Sequence, residues 1–121
     1  MEPSYRSFDE TLAARLQSVA ASLRPATHEE LHALLAEIFA SNPLHPWAES
    51  SARFVQEHKD EIAYRAETSD GIHVVFYPRT GRGMWYLLDK KDGTVSGVGI
   101  ISENNMKRLT QLVTGQQAPL A

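Results

Sequence analysis

The sequence predicts an α+β domain: three N-terminal helices, a four-stranded antiparallel meander sheet, and a C-terminal helix packed on that sheet. Three observations lead there. From Glu61 to Ile101 apolar residues alternate with polar ones and the alternation is broken by glycine-containing turns, the pattern of strands joined by hairpins. Outside that region apolar residues recur at three- and four-residue intervals, and the recurrences open on Ser, Thr or Pro start signals.

In chain order, Ser7-Phe8-Asp9-Glu10 has the form of a capping box, with Ser7 as N-cap. Phe8, Leu12, Leu16, Val19 and Leu23 then give one apolar helical stripe, which Pro25 stops. A second box, Thr27-His28-Glu29-Glu30, opens a helix whose stripe is Leu31, Leu34, Leu35, Ile38 and Phe39, ended by Asn42-Pro43. Pro46 suits the first turn of a third helix carrying Trp47, Phe54 and Val55 to about Asp60. Ser102 caps the last helix, Ile101 can staple onto Met106, and Met106, Leu109, Leu112 and Val113 form its stripe. Gly115 is placed as its stop, and residues 115–121 as a flexible tail.

The first hairpin can be registered by charge. A two-residue loop at Asp70-Gly71 would pair Arg65 with Phe76 and Glu67 with Val74, mixing charges with apolar side chains. A three-residue loop with Gly71 left-handed pairs Tyr64 with Phe76 and Ala66 with Val74 on one face, and Glu67 with His73 on the other. The second register is expected. The third strand, Met84 to Leu88, follows the loop Arg79-Thr80-Gly81-Arg82-Gly83, and the fourth, Thr94 to Ile101, sets Trp85 across from Gly99. Tyr77, Trp85 and Leu87 are expected to share a face with Val75, an aromatic surface if helices cover only one side of the sheet.

Composition bounds the function. The 121 residues with 42% hydrophobic content suit a single domain, 1–121. The net charge of -3 argues against a surface built wholly for polyphosphate. Without cysteine there is no thiol chemistry and no Cys-ligated zinc. No leader-like or membrane-length apolar stretch is present, so a cytoplasmic protein with no membrane partner is expected.

Two short stretches carry chemical signals. His28-Glu29-Glu30-Leu31-His32 resembles the H-E-x-x-H motif of the zincin metalloproteases. That resemblance implies His28 and His32 as zinc ligands and Glu29 as the base acting on zinc-bound water. The extended metzincin pattern is not met, since Leu35 and Ile38 stand where glycine and histidine are required. Glu37, Glu49, Glu57 and His58 remain as third-ligand candidates; a solvated first turn, its acids at the positive helix end, explains the same letters. His45-Pro46-Trp47-Ala48-Glu49-Ser50-Ser51-Ala52-Arg53 is similar to the Fic motif H-P-F-x-[DE]-G-N-G-R, with Ser50-Ser51-Ala52 in place of its phosphate-binding glycine turn.

A third signal is the loop Arg79 to Gly83, between Tyr77 and Trp85. Its arginines can grip an acidic protein surface, with the aromatics as apolar anchors and the glycines letting the loop conform. The functional expectation is a non-enzymatic interaction or regulatory module that binds a protein partner, or itself, through a sheet face and Tyr77, Arg79, Arg82 and Trp85. Two alternatives stand beside it: a zinc-dependent hydrolase using His28 to His32, and a single-stranded nucleic-acid binder using the same basic loop.

Overall fold

The computed structural model describes residues 5–117 except position 90, and the side chains of residues 10–114 with the same exception. The elements run α1 (Tyr5–Ala14), α2 (Leu16–Ser22), β1 (Arg24–Ala26), α3 (His28–Ile38), α4 (Pro46–Glu57), β2 (Ala63–Glu67), β3 (Ile72–Tyr77), β4 (Arg82–Leu88), β5 (Val95–Ile100) and α5 (Glu103–Gln117). The architecture is α+β. The sheet has five strands rather than four, all antiparallel, in the order β1-β2-β3-β4-β5.

The extra strand and a broken helix are linked. The N-terminal stripe does not form one helix; it breaks at Arg15, whose Nε bonds Asp70 at 2.7 Å in the β2–β3 turn. After Ser22 the chain turns extended, and the Ser22 hydroxyl donates to the Glu67 carbonyl at 2.7 Å while accepting from the Glu67 N–H at 2.9 Å. Arg24 to Ala26 is thereby laid against β2, with Pro25 opposite Tyr64. Pro25 therefore sits in an edge strand, where its missing N–H is tolerated, and does not act as the helix stop. Leu12, Val19 and Leu23 still face the core.

Several boundaries also move. α1 begins at Tyr5, so Ser7 lies inside it rather than at its cap, and the side chain of Phe8 is outside the described residues. α4 ends at Glu57, and α5 runs past Gly115 to Gln117, so that glycine is not its stop. The expected tail is described only as far as that helix; residues 118–121 lie outside the described set. Thr27, Pro46 and Ser102 hold their expected roles: Thr27 accepts from the Glu30 N–H at 3.1 Å, Pro46 stands at the start of α4, and Ser102 accepts from the Asn105 N–H at 3.2 Å.

The β2–β3 register is the expected one, pairing Tyr64 with Phe76, Ala66 with Val74 and Glu67 with His73. Gly71 adopts φ 96°, and β4 closes over it, since the Leu88 N–H donates to the Gly71 carbonyl at 2.9 Å. A Cβ at Gly71 would run into the Leu88 carbonyl oxygen, so contact as well as conformation demands glycine there. Trp85 pairs with Gly99, also as expected.

The β3–β4 hairpin differs. Its loop is Pro78 to Gly81, four residues, with Tyr77 opposite Arg82 and Val74 opposite Trp85. Trp85 therefore shares a face with Val74 and Phe76, while Tyr77 and Val75 occupy the other face. The common aromatic surface of Tyr77 and Trp85 does not exist. Both faces are covered. α1, α2 and α5 pack Leu12, Val19, Met106, Leu109 and Val113 on the face of Trp85, and α3 and α4 pack Leu31, Leu34, Leu35, Ile38 and Val55 on the face of Tyr77.

Candidate interaction site

The four residues singled out in the sequence are not gathered into one site. Tyr77 is 1% exposed and Trp85 8%, on opposite sides of the sheet, so both are core residues. Arg79 and Arg82 are exposed and border different hollows. Gly81, at φ 69°, gives the loop its left-handed corner. Gly83 does not loosen the loop. It sits in β4 opposite Phe76, where a Cβ would meet the Phe76 Cβ and the Ile101 Cδ1, each at 2.7 Å.

The Arg79 side of the loop is occupied by other charges. Its hollow, of about 400 Å³, includes Asp60, Glu61 and Tyr64. Glu61 accepts from or shares a proton with His58, Nδ1 to Oε2 at 2.5 Å, and that bond, aided by Thr80 and Arg79, holds its carboxyl below the usual glutamate range. His58 is buried, stacked on Tyr77 at 4.6 Å between centroids and edge-on to Phe54 at 5.0 Å. Burial beside Glu61 and Tyr86 pushes the Tyr77 hydroxyl up to about 12. The cluster fastens the end of α4 to the sheet, with the His58 Nε2 enclosed away from solvent.

The Arg82 side is different in kind. Trp47, Ser50 and Phe54 of α4 stand over Arg82, Gly83 and Met84 of β4 and Ile100 of β5, and enclose a hollow of about 300 Å³. Gly83 contributes only backbone to it, since its Cβ position faces the other side of the sheet, toward Phe76 and Ile101. Ile100 is 68% exposed at its rim. Among the described residues, Arg82 is the one charged member of the lining, and it forms no ion pair. Behind this wall the Tyr86 hydroxyl donates to the buried Ser51 hydroxyl at 2.9 Å, which sets α4 on β4.

The motif residues have local partners. The rings of His28 and His32 meet edge-on at 4.6 Å, and among the described residues no group of three His, Asp or Glu side chains is placed to hold a metal ion. His45 Nδ1 caps α4 by accepting from the Trp47 N–H at 3.1 Å, while Glu49 and Arg53 of the Fic-like stretch pair with each other at 3.1 Å on the exposed face. Glu67 and His73 approach to 3.9 Å beside Arg65; burial lowers the His73 pKa despite the Glu67 charge, which keeps the ring neutral at pH 7.

Sequence reasoning missed Phe54, Met84 and Ile100 as walls of a surface hollow. The adjacent Ile100-Ile101 pair was the available signal, since neighbours on a strand point to opposite faces and only one face at that edge is deeply covered. No helix among the described residues is long and apolar enough to cross a membrane. No protein-family model matches this chain, and neither the curated proteins nor the solved structures contain a significant match to it.

Proposed function

We propose that the protein is a non-enzymatic interaction module that binds a protein partner at the hollow beside Arg82. The partner inserts one large apolar side chain against Phe54, Met84 and Ile100 and sets a neighbouring carboxylate on the Arg82 guanidinium. The observation that carries this reading is the combination of an apolar recess of about 300 Å³ with a single lining cation that lacks an ionic partner among the described residues. That size is at the low end for ligand sites and suits one side chain. An arginine at the edge of an apolar recess is the usual composition of an interface anchor. Arg79 serves as a more distant charge, since it already lies near Glu61. Zinc and single-stranded nucleic acid find no comparable site: His28 and His32 gather no third ligand among the described residues, and the aromatics that would stack bases lie inside the core.

The test is selection from a displayed random-peptide library against the full chain. Enriched peptides should join a Phe, Trp or Leu to a nearby Asp or Glu. Arg82→Glu should weaken a selected peptide by at least about tenfold, roughly the 1.5–3 kcal/mol of a hydrogen bond to a charged group. Selected peptides that bind Arg82→Glu and wild type equally would refute the reading.

A further inference from the structure

The two edges of the sheet differ in a way that bears on self-association. β1 forms one edge and has three residues, including Arg24 and Pro25. Shortness, a charge and a missing N–H are the means by which edge strands resist pairing. β5 forms the other edge and has six residues, Val95-Ser96-Gly97-Val98-Gly99-Ile100, with neither charge nor proline.

The direction of its free backbone groups follows from the register. The Ile101 N–H donates to the Gly83 carbonyl at 3.0 Å, which makes those two residues a hydrogen-bonded pair. Antiparallel ladders alternate, so the next pair, Met84 with Ile100, is not hydrogen-bonded, and neither is Tyr86 with Val98. The N–H and C=O groups of Val98 and Ile100 therefore point away from β4. The Ile100 side chain stands 68% exposed beside them.

We infer that the protein forms a two-fold symmetric dimer by antiparallel pairing of β5 with β5 of a second copy. With the axis beside Val98, each Val98 N–H donates to the Val98 carbonyl of the other copy, and Ile100 lies across from Ser96 of the other copy. The side chains keep their faces, so the α3 and α4 layer of one copy continues beside that of the other. A second copy fits better than a foreign strand, because β5 offers no charged side chain by which to select one, whereas its own copy presents matching donors and acceptors about the axis. Growth stops at two. β5 cannot add to β1 of another molecule, whose Pro25 and Arg24 block that edge, so the contact closes instead of making a fibre. A strand-to-strand contact alone buries less than the usual 800 Å² or so per partner, which makes the dimer concentration-dependent.

Sedimentation velocity on the full chain over a concentration series tests this. The weight-average mass should climb from the 13.5 kDa of one chain toward twice that value. Ile100→Lys, which alters an already exposed side chain, should return the series to monomer with circular dichroism unchanged; Val98→Pro, which deletes an outward N–H, should do the same. Arg82→Glu should leave the series unaltered, so failure here is separable from failure of the partner-binding reading. The chain has no cysteine, so oxidised Val98→Cys should give a covalent dimer while the exposed Glu57→Cys on α4 should not. A chain that stays monomeric to about 1 mM, or a dimer indifferent to Ile100→Lys and Val98→Pro, would overturn the inference.

Discussion

Gly99→Ala sets two physical effects of opposite sign against each other. Glycine inside a strand costs roughly 0.5–1 kcal/mol relative to alanine, so a freely accommodated Ala would stabilise the protein. At Gly99 the new Cβ would lie 2.7 Å from Cζ2 and Nε1 of Trp85 and 2.8 Å from Cε2. The indole spans both glycines of β5, since the Gly97 Cβ position is also only 3.0 Å from Cζ3. Overpacking of this kind costs about 1–3 kcal/mol, which exceeds the propensity gain. A net loss of about 1.5 kcal/mol is expected. In a Trp85→Leu background the obstruction is gone and the same substitution should gain about 0.5 kcal/mol, a coupling of about 2 kcal/mol between the sites. Urea denaturation followed by circular dichroism on all four proteins measures it without relying on the tryptophan being removed. A Gly99→Ala protein as stable as wild type, or an equal loss in both backgrounds, would show that the indole does not hold that position shut.

Two further outcomes follow from buried and paired polar groups. Ser51→Ala leaves the Tyr86 hydroxyl without its 2.9 Å partner in the core and should cost about 1–2 kcal/mol, while Ser51→Ala with Tyr86→Phe should cost less than the two single changes summed, as read from denaturant midpoints. Glu61 has a folded-state pKa below its ordinary value of 4.5, chiefly through the His58 bond. Its contribution to stability is therefore complete above that ordinary value and lost as pH falls through the depressed one. Melting temperatures measured from neutral pH downward should fall less steeply for Glu61→Gln than for wild type in that acid window, and parallel curves would contradict the assignment.

The parts of the fold legible in the sequence were those fixed by neighbours along the chain. Glu67 and Arg65 could not be placed among Phe76 and Val74, so the β2–β3 register followed from charge alone. Thr27, Pro46 and Ser102 announced helix starts because a cap acts within one turn. β1 was invisible for the converse reason. Three residues including a proline carry no strand pattern, and the strand exists because Ser22 bonds both backbone groups of Glu67, 45 residues away. Arg15, where the N-terminal helix breaks, likewise bonds Asp70, 55 residues away.

The candidate site was misplaced by the length of one loop. Counting Arg79 to Gly83 as the connection would set Tyr77 opposite Trp85 and join them on one face. The observed loop, Pro78 to Gly81, sets Tyr77 opposite Arg82, an odd shift that sends the two aromatics to opposite faces. In the strand, Gly83 lies so close to Ile101 and Met106 that a Cβ there would meet them at 2.7 and 3.0 Å, so this register demands a glycine, and the residues that demand it lie some 20 positions beyond the turn. The same shift creates the hollow: with Gly83 in β4, Arg82 begins the strand at its edge and Met84 turns toward α4, where Phe54 and Ile100 complete the wall. A tertiary contact that no local pattern encodes thus goes with both the register and the surface offered to a partner.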